Sequence, residues 1–126
     1  MQKVHAIFGF RYQGKYYLAL SDVEGWPDIL GKKMAQIIKS NNNTSLIEIS
    51  RNLKLTENDF ILNAEYKYII NLDNLTLEYY CQNKTPRAIF TLDQLRKTDT
   101  NQIVRIMESL DEIDSSMYNL FMMEAS

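Results

Sequence analysis

Histidine and cysteine occur once each in this chain, as His5 and Cys81. The zinc sites built from those two residue types therefore cannot be assembled within one copy, and no internal disulfide can form. Gly-rich phosphate loops, nucleophile elbows and calcium loops are missing as well. No cofactor and no resident metal is expected. Apolar runs stay far below the roughly 18 residues of a membrane span. The amino-terminal run, MQKVHAIFGFRYQGK, is too short and too interrupted for a signal peptide. These absences predict a cytoplasmic protein with no membrane association. Charge of one sign is lacking too: 14 basic residues face 16 acidic ones, for a net charge of -2. With no global positive field, nucleic acid is not an expected partner. Lys32, Lys33 and Lys39 read as a solvated helix face.

What is present suits one globular domain spanning 1–126, since 126 residues that are 45% hydrophobic and 24% charged suffice for one core without a disulfide or metal. From Val4 to Arg11 and from Lys15 to Leu20, apolar residues alternate with others, which predicts two strands with one buried face each. Gln13-Gly14 between them fits a tight hairpin turn. Gly9 marks a bulge, a close backbone approach or a packed aromatic ring. His5 reads as a half-exposed strand residue.

Pro27 suits the first turn of a helix, because its φ is already helical and its missing N–H would be unpaired there. That helix is predicted to run to about Lys39, burying Leu30, Met34, Ile37 and Ile38. Asn41-Asn42-Asn43 stops it. Ser45 and Glu48 have the spacing of a capping box, predicting a second, short helix that ends near Leu53. A further turn after Thr56 would carry Phe60 and Leu62. A second hairpin follows, with alternation from Ala64 to Leu72, a turn at Asp73-Asn74 and renewed alternation from Leu75 to Cys81. Glu65, Lys67 and Glu78 mark its wetter face, and Cys81 falls with Leu77 and Tyr79 as a small buried hydrophobe. Ala88-Ile89-Phe90 can add an edge strand.

The last third reads as helix, capped at Asp99 or Thr100, with Ile103, Ile106, Met107, Leu110 and Ile113 on one face. Beyond Asp114-Ser115-Ser116 comes the apolar run Met117–Met123. It is expected to fold back onto its own sheet, the alternative being a homo-oligomer formed through that run. Together these elements predict an α+β fold: an antiparallel sheet of two β-hairpins, with one further edge strand and three to four helices packed on one face.

The chemistry concentrates in Asp22-Val23-Glu24-Gly25-Trp26-Pro27, where two carboxylates and an indole meet a helix start whose N–H groups lack partners. Capping by Asp22 or Glu24 and burial of Trp26 would account for the turn structurally. The functional reading makes Trp26 or Tyr17 a stacking platform, with Arg11, Lys15 or Lys32 as charge partners for a ligand. A Cys81/His5 nucleophile and base pair would require the two hairpins to lie side by side in one register.

At these residues the chain resembles a family of small uncharacterised proteins encoded by phages, bacteria and some fungi. The matches are Gly9-Phe10-Arg11-Tyr12, Gly14-Lys15-Tyr16-Tyr17, Gly25-Trp26-Pro27, Leu30-Gly31 and the hairpin from Glu65 to Glu78. The resemblance implies a shared fold over residues 4 to 80. It departs where the family has an arginine in its first strand and this chain has His5, and where the family's turn histidine and aspartate are replaced by Asp22 and Glu24. An aspartate, with an ordinary pKa near 4, replaces a neutral-pH acid or base poorly. The expected function is therefore a non-catalytic binding or interaction protein, mobile-element-related, which holds a small polar ligand or a protein partner at the Asp22–Pro27 turn. The ligand-binding residues expected are Arg11, Tyr17, Asp22, Glu24, Trp26 and Lys32. The alternative is a small hydrolase using Asp22 and Glu24 as paired carboxylates, alone or with a divalent metal.

Overall fold

The computed structural model of the chain describes residues 6–21, 23–53, 55–56, 64–81 and 85–111. Asp22, Val4, His5, Phe60, Leu62, Ile113 and the Met117–Met123 run lie outside the described residues. Strands β1 (Ala6–Tyr12) and β2 (Lys15–Leu20) form the first hairpin, and β4 (Tyr66–Asn71) and β5 (Thr76–Cys81) form the second. The two-residue β3 (Leu55–Thr56) and β6 (Ala88–Thr91) lie at opposite edges of a six-stranded sheet in the order β3-β2-β1-β4-β5-β6. Helices α1 (Lys32–Ser40), α2 (Asn43–Ser50), α3 (Leu92–Lys97) and α4 (Thr100–Asp111) complete the α+β fold.

Each hairpin is antiparallel, but the sheet as a whole is mixed, because β1 and β4 meet as a parallel pair with Ala6 opposite Tyr66 and Arg11 opposite Asn71. The alternation then sorts every side chain. Ala6 and Phe10 of β1, Tyr66, Tyr68 and Ile70 of β4, and Leu77, Tyr79 and Cys81 of β5 share one core with Leu30, Met34, Ile38, Leu46, Leu95 and Met107 of the helical layer. On the opposite face Ile7, Leu18 and Ile69 form a smaller buried cluster with Tyr16, Ala64 and Tyr80 against it. Gly9 belongs to that second face. A Cβ built there would sit 2.2 Å from the carbonyl oxygen of Tyr17, so the close-approach reading of this glycine is the one realised.

Local chemistry explains the remaining boundaries. Gln13 and Gly14 both take positive φ, 54° and 74°, the backbone pattern of a two-residue hairpin turn whose twist matches its strands. The helix predicted from Pro27 starts as a π-helical turn, Pro27–Gly31, and becomes α-helical only at Lys32. Asn41 ends α1 in extended conformation, and its side-chain amide donates to the carbonyl of Ile37. The cap of α2 is Asn42 rather than Ser45: the Asn42 side chain accepts from the Ser45 backbone N–H at 2.8 Å, which moves the helix start two residues upstream of the capping-box prediction. A reciprocal capping box occurs instead at Thr91 and Gln94, and it starts α3. Arg96 of α3 then donates to the carbonyls of Ile38 and Asn41 and to the Asn43 side chain, tying the end of α1 and the start of α2 to α3.

Candidate functional site

The turn after β2 is fixed from below by the sheet. The Ser21 backbone N–H donates to Ala6, and the Ser21 hydroxyl both accepts from the Val23 N–H and donates to the Val23 carbonyl. Gly25 is buried, and a Cβ there would lie 2.6 Å from Ala6 Cβ and 3.0 Å from Tyr66 Cβ, so only glycine allows the chain to pass this close to β1 and β4. Its carbonyl accepts from the buried Tyr68 hydroxyl at 2.7 Å. The carbonyl of Trp26 gathers three N–H groups, from Ile29, Leu30 and Gly31, at 2.9, 2.9 and 3.4 Å. Trp26 itself is extended, as the residue before a proline tends to be.

This backbone presents the Trp26 ring at the surface, 42% exposed, with its centroid 5.7 Å from that of Tyr66 and tilted by 59°. The indole N–H donates to Glu24 Oε2 at 3.1 Å. Glu24 is half-buried, and Asp28, in the first helical turn, is exposed. A carboxylate accepting one hydrogen bond keeps most of its acceptor capacity. The charge beside the exposed ring is therefore acidic.

Of the residues expected to bind a ligand, the structure brings Glu24 and Trp26 into contact and leaves Lys32 exposed at the end of the π-helical turn. Tyr17 is half-buried and paired with Phe10, lower on the helix-covered face. Arg11 lies five residues along β1 from Ala6, about 17 Å of strand, and on the opposite face. There its guanidinium sits 5.5 Å from the Tyr16 ring centroid and its Nε lies 3.8 Å from Asp73. Lys15 starts β2 at the same far end. Neither cation is placed to serve a ligand at Trp26. The hydrolase alternative depends on Asp22, which is not among the described residues; among those that are, no group of three or more His, Cys, Asp or Glu side chains converges on a metal-sized site.

A second polar constellation, on the face opposite the helices, escaped the sequence reading. Lys67, placed by alternation on the wetter face, is 6% exposed, and its ammonium lies 4.6 Å from the Tyr80 ring centroid. Tyr80 donates to Glu78 at 2.9 Å, and the Asn71 side-chain amide donates to the other Glu78 oxygen at 3.2 Å. Burial lowers the Lys67 pKa. Burial also raises that of Tyr80, with the charge and hydrogen bond of Glu78 adding to the shift. The available signal was parity: Lys67 and Tyr80 stand on the same face as Ile7 and Ile69, so an apolar surface lies beneath the lysine stem.

No helix among the described residues is long and apolar enough to cross a membrane. In comparisons with protein-family models, curated proteins and solved structures, nothing matches this chain.

Proposed function

We propose that this chain is a non-catalytic binding protein, and that the turn from Glu24 to Pro27 takes up a cationic group carried by a small polar ligand or by a protein partner. The carrying observation is the exposed Trp26 ring, held with its N–H on the Glu24 carboxylate above a buried glycine. An aromatic face attracts a cation through its quadrupole, and adjacent carboxylates add a charge of the complementary sign. Separation of Arg11 and Lys15 from this turn weakens the case for an anionic ligand there, with Lys32 left at the far end of the helical turn and the Glu24 carboxylate on the ring itself. A turn held by the hydrogen bonds of Ser21 and Gly25 has less freedom to lose on binding than an untethered loop, which favours recognition by a small surface. Kinship with the small phage, bacterial and fungal proteins remains part of the proposal, supported by the matched residues Gly9, Gly25 and Pro27. The buried thiol of Cys81 supports placement in the reducing cytoplasm.

A native mass spectrum of the protein purified from its host tests this reading. A co-purifying cationic species or basic protein, absent from Trp26→Ala and reduced in Glu24→Gln, supports it. An anionic species retained by both variants contradicts it.

A further inference from the structure

Lys67 stands on the sheet face opposite the helices, between Ile7 of β1 and Tyr80 of β5 in the strand register. Ile7, and Ile69 two residues along β4, are both buried. The other charged groups of this face are engaged elsewhere. Glu78 of β5 accepts from Tyr80 and Asn71, and Arg11 of β1 is set beside Asp73 and the Tyr16 ring. Among the described residues no carboxylate pairs with Lys67 and no acceptor takes a hydrogen bond from it, which leaves the Tyr80 ring as the partner of its ammonium. Its Nζ is not one of the described side-chain nitrogens sealed from solvent without a partner, so the tip of a buried stem still meets water.

A lysine in this setting carries its charge at a cost, because neither a counter-ion nor a hydrogen-bond acceptor offsets the lost hydration. Burial holds the amine below its ordinary pKa of 10.5, so at a given pH more of it is neutral and nucleophilic than in a lysine fully in water. Conversion to a neutral amide removes the buried charge. A mostly enclosed amine also admits a small donor more readily than a bulky one. We propose that Lys67 is an acylation site, which takes its acyl group directly from a small acyl phosphate. The Nζ lone pair attacks the acyl carbon, an N–C bond forms and the C–O bond to phosphate breaks. The amine proton leaves with the departing group as hydrogen phosphate.

Acetyl phosphate added to the full chain tests this, with the occupancy of each lysine followed by peptide mass spectrometry. In the initial phase Lys67 gains acetyl at least about fivefold faster than the exposed Lys15, Lys33 and Lys97. Tyr80→Phe keeps the ring and the preference. Tyr80→Ser opens the site to water and brings Lys67 down to the rate of the exposed lysines. If Tyr80→Ser fails to fold, the pH profile of the unaltered chain decides, and the Lys67 rate levels off below pH 10.5. Acetylation of Lys67 no faster than that of the exposed lysines overturns the inference, as does acetylation that needs urea. A preference that survives Tyr80→Ser, or a rate still climbing at pH 10.5, overturns it as well.

Discussion

The hydroxyl of Tyr68, on a central strand, donates a 2.7 Å hydrogen bond to the carbonyl of Gly25, 43 residues earlier in the chain. Through this bond a strand buried along its whole length sets the position of the turn that carries Trp26. Tyr68 is fully buried, with its ring 5.3 Å from Tyr79.

Replacing Tyr68 by Phe keeps the ring and leaves the Gly25 carbonyl short of this donor. The expected loss is about 1–2 kcal/mol of stability, read as a lowered urea midpoint, with the Trp26 emission shifted as the turn relaxes. Gly25→Ala acts on the same turn by overpacking against Ala6 and Tyr66 and is expected to cost about 1–3 kcal/mol. Unchanged emission in both variants would show that the turn is positioned independently of β4.

Asp73 joins the two hairpins at their far end. Its carboxylate accepts from the Gln13 and Gly14 N–H groups at 2.7 and 3.0 Å, and the Leu72 N–H donates to Arg11 at 2.8 Å. Asp73→Ala removes two charge-assisted bonds at an exposed site, for an expected cost of about 1–2 kcal/mol. Asp73→Asn retains one acceptor oxygen and is expected to lose less. Equal urea midpoints for Asp73→Ala and the unaltered chain would contradict this clamp.

Alkaline stability reports on the second face. Lys67 is lowered from its ordinary 10.5, so between its folded value and 10.5 the unfolded chain binds more protons than the folded one, and stability rises with pH. Tyr80 is raised from 10.0, so above 10.0 the folded chain holds a proton that the unfolded chain releases, and stability falls with pH. Lys67→Met is expected to flatten the rise and Tyr80→Phe the fall, measured as urea midpoints between about pH 8 and pH 11. Curves that match the unaltered chain in both variants would show that neither group is buried as described.

The hairpins were legible because period-two alternation is local, and the start at Pro27 was legible because proline constrains its own φ. The parallel meeting of β1 and β4 was not, since either hairpin satisfies its own turn and register without reference to the other. Asn42 displaced Ser45 as a cap because the choice depends on where α1 releases the chain. The Thr91 and Gln94 box had the right spacing in the sequence but lay directly after a strand too short to signal its own end. Glu24 and Trp26 were found together because they are two residues apart. Arg11 was grouped with them by sequence proximity, although its parity with Gly9 and Ile7 already assigned it to the other face. Alternation and charge together put Lys67 on the wetter face, whereas its stem belongs to an apolar surface.

Trp26 is the only tryptophan in the chain, so its fluorescence reports on the proposed site alone. The decisive measurement is a titration with hexalysine, with hexaglutamate at the same ionic strength as the control. The account predicts a saturable change with hexalysine that weakens at least threefold in Glu24→Gln and in Asp28→Asn but is unaltered in Glu48→Gln, which removes an exposed acid on α2. No saturable response to hexalysine, an equal response to hexaglutamate, or equal weakening by Glu48→Gln would contradict a cation site at Trp26.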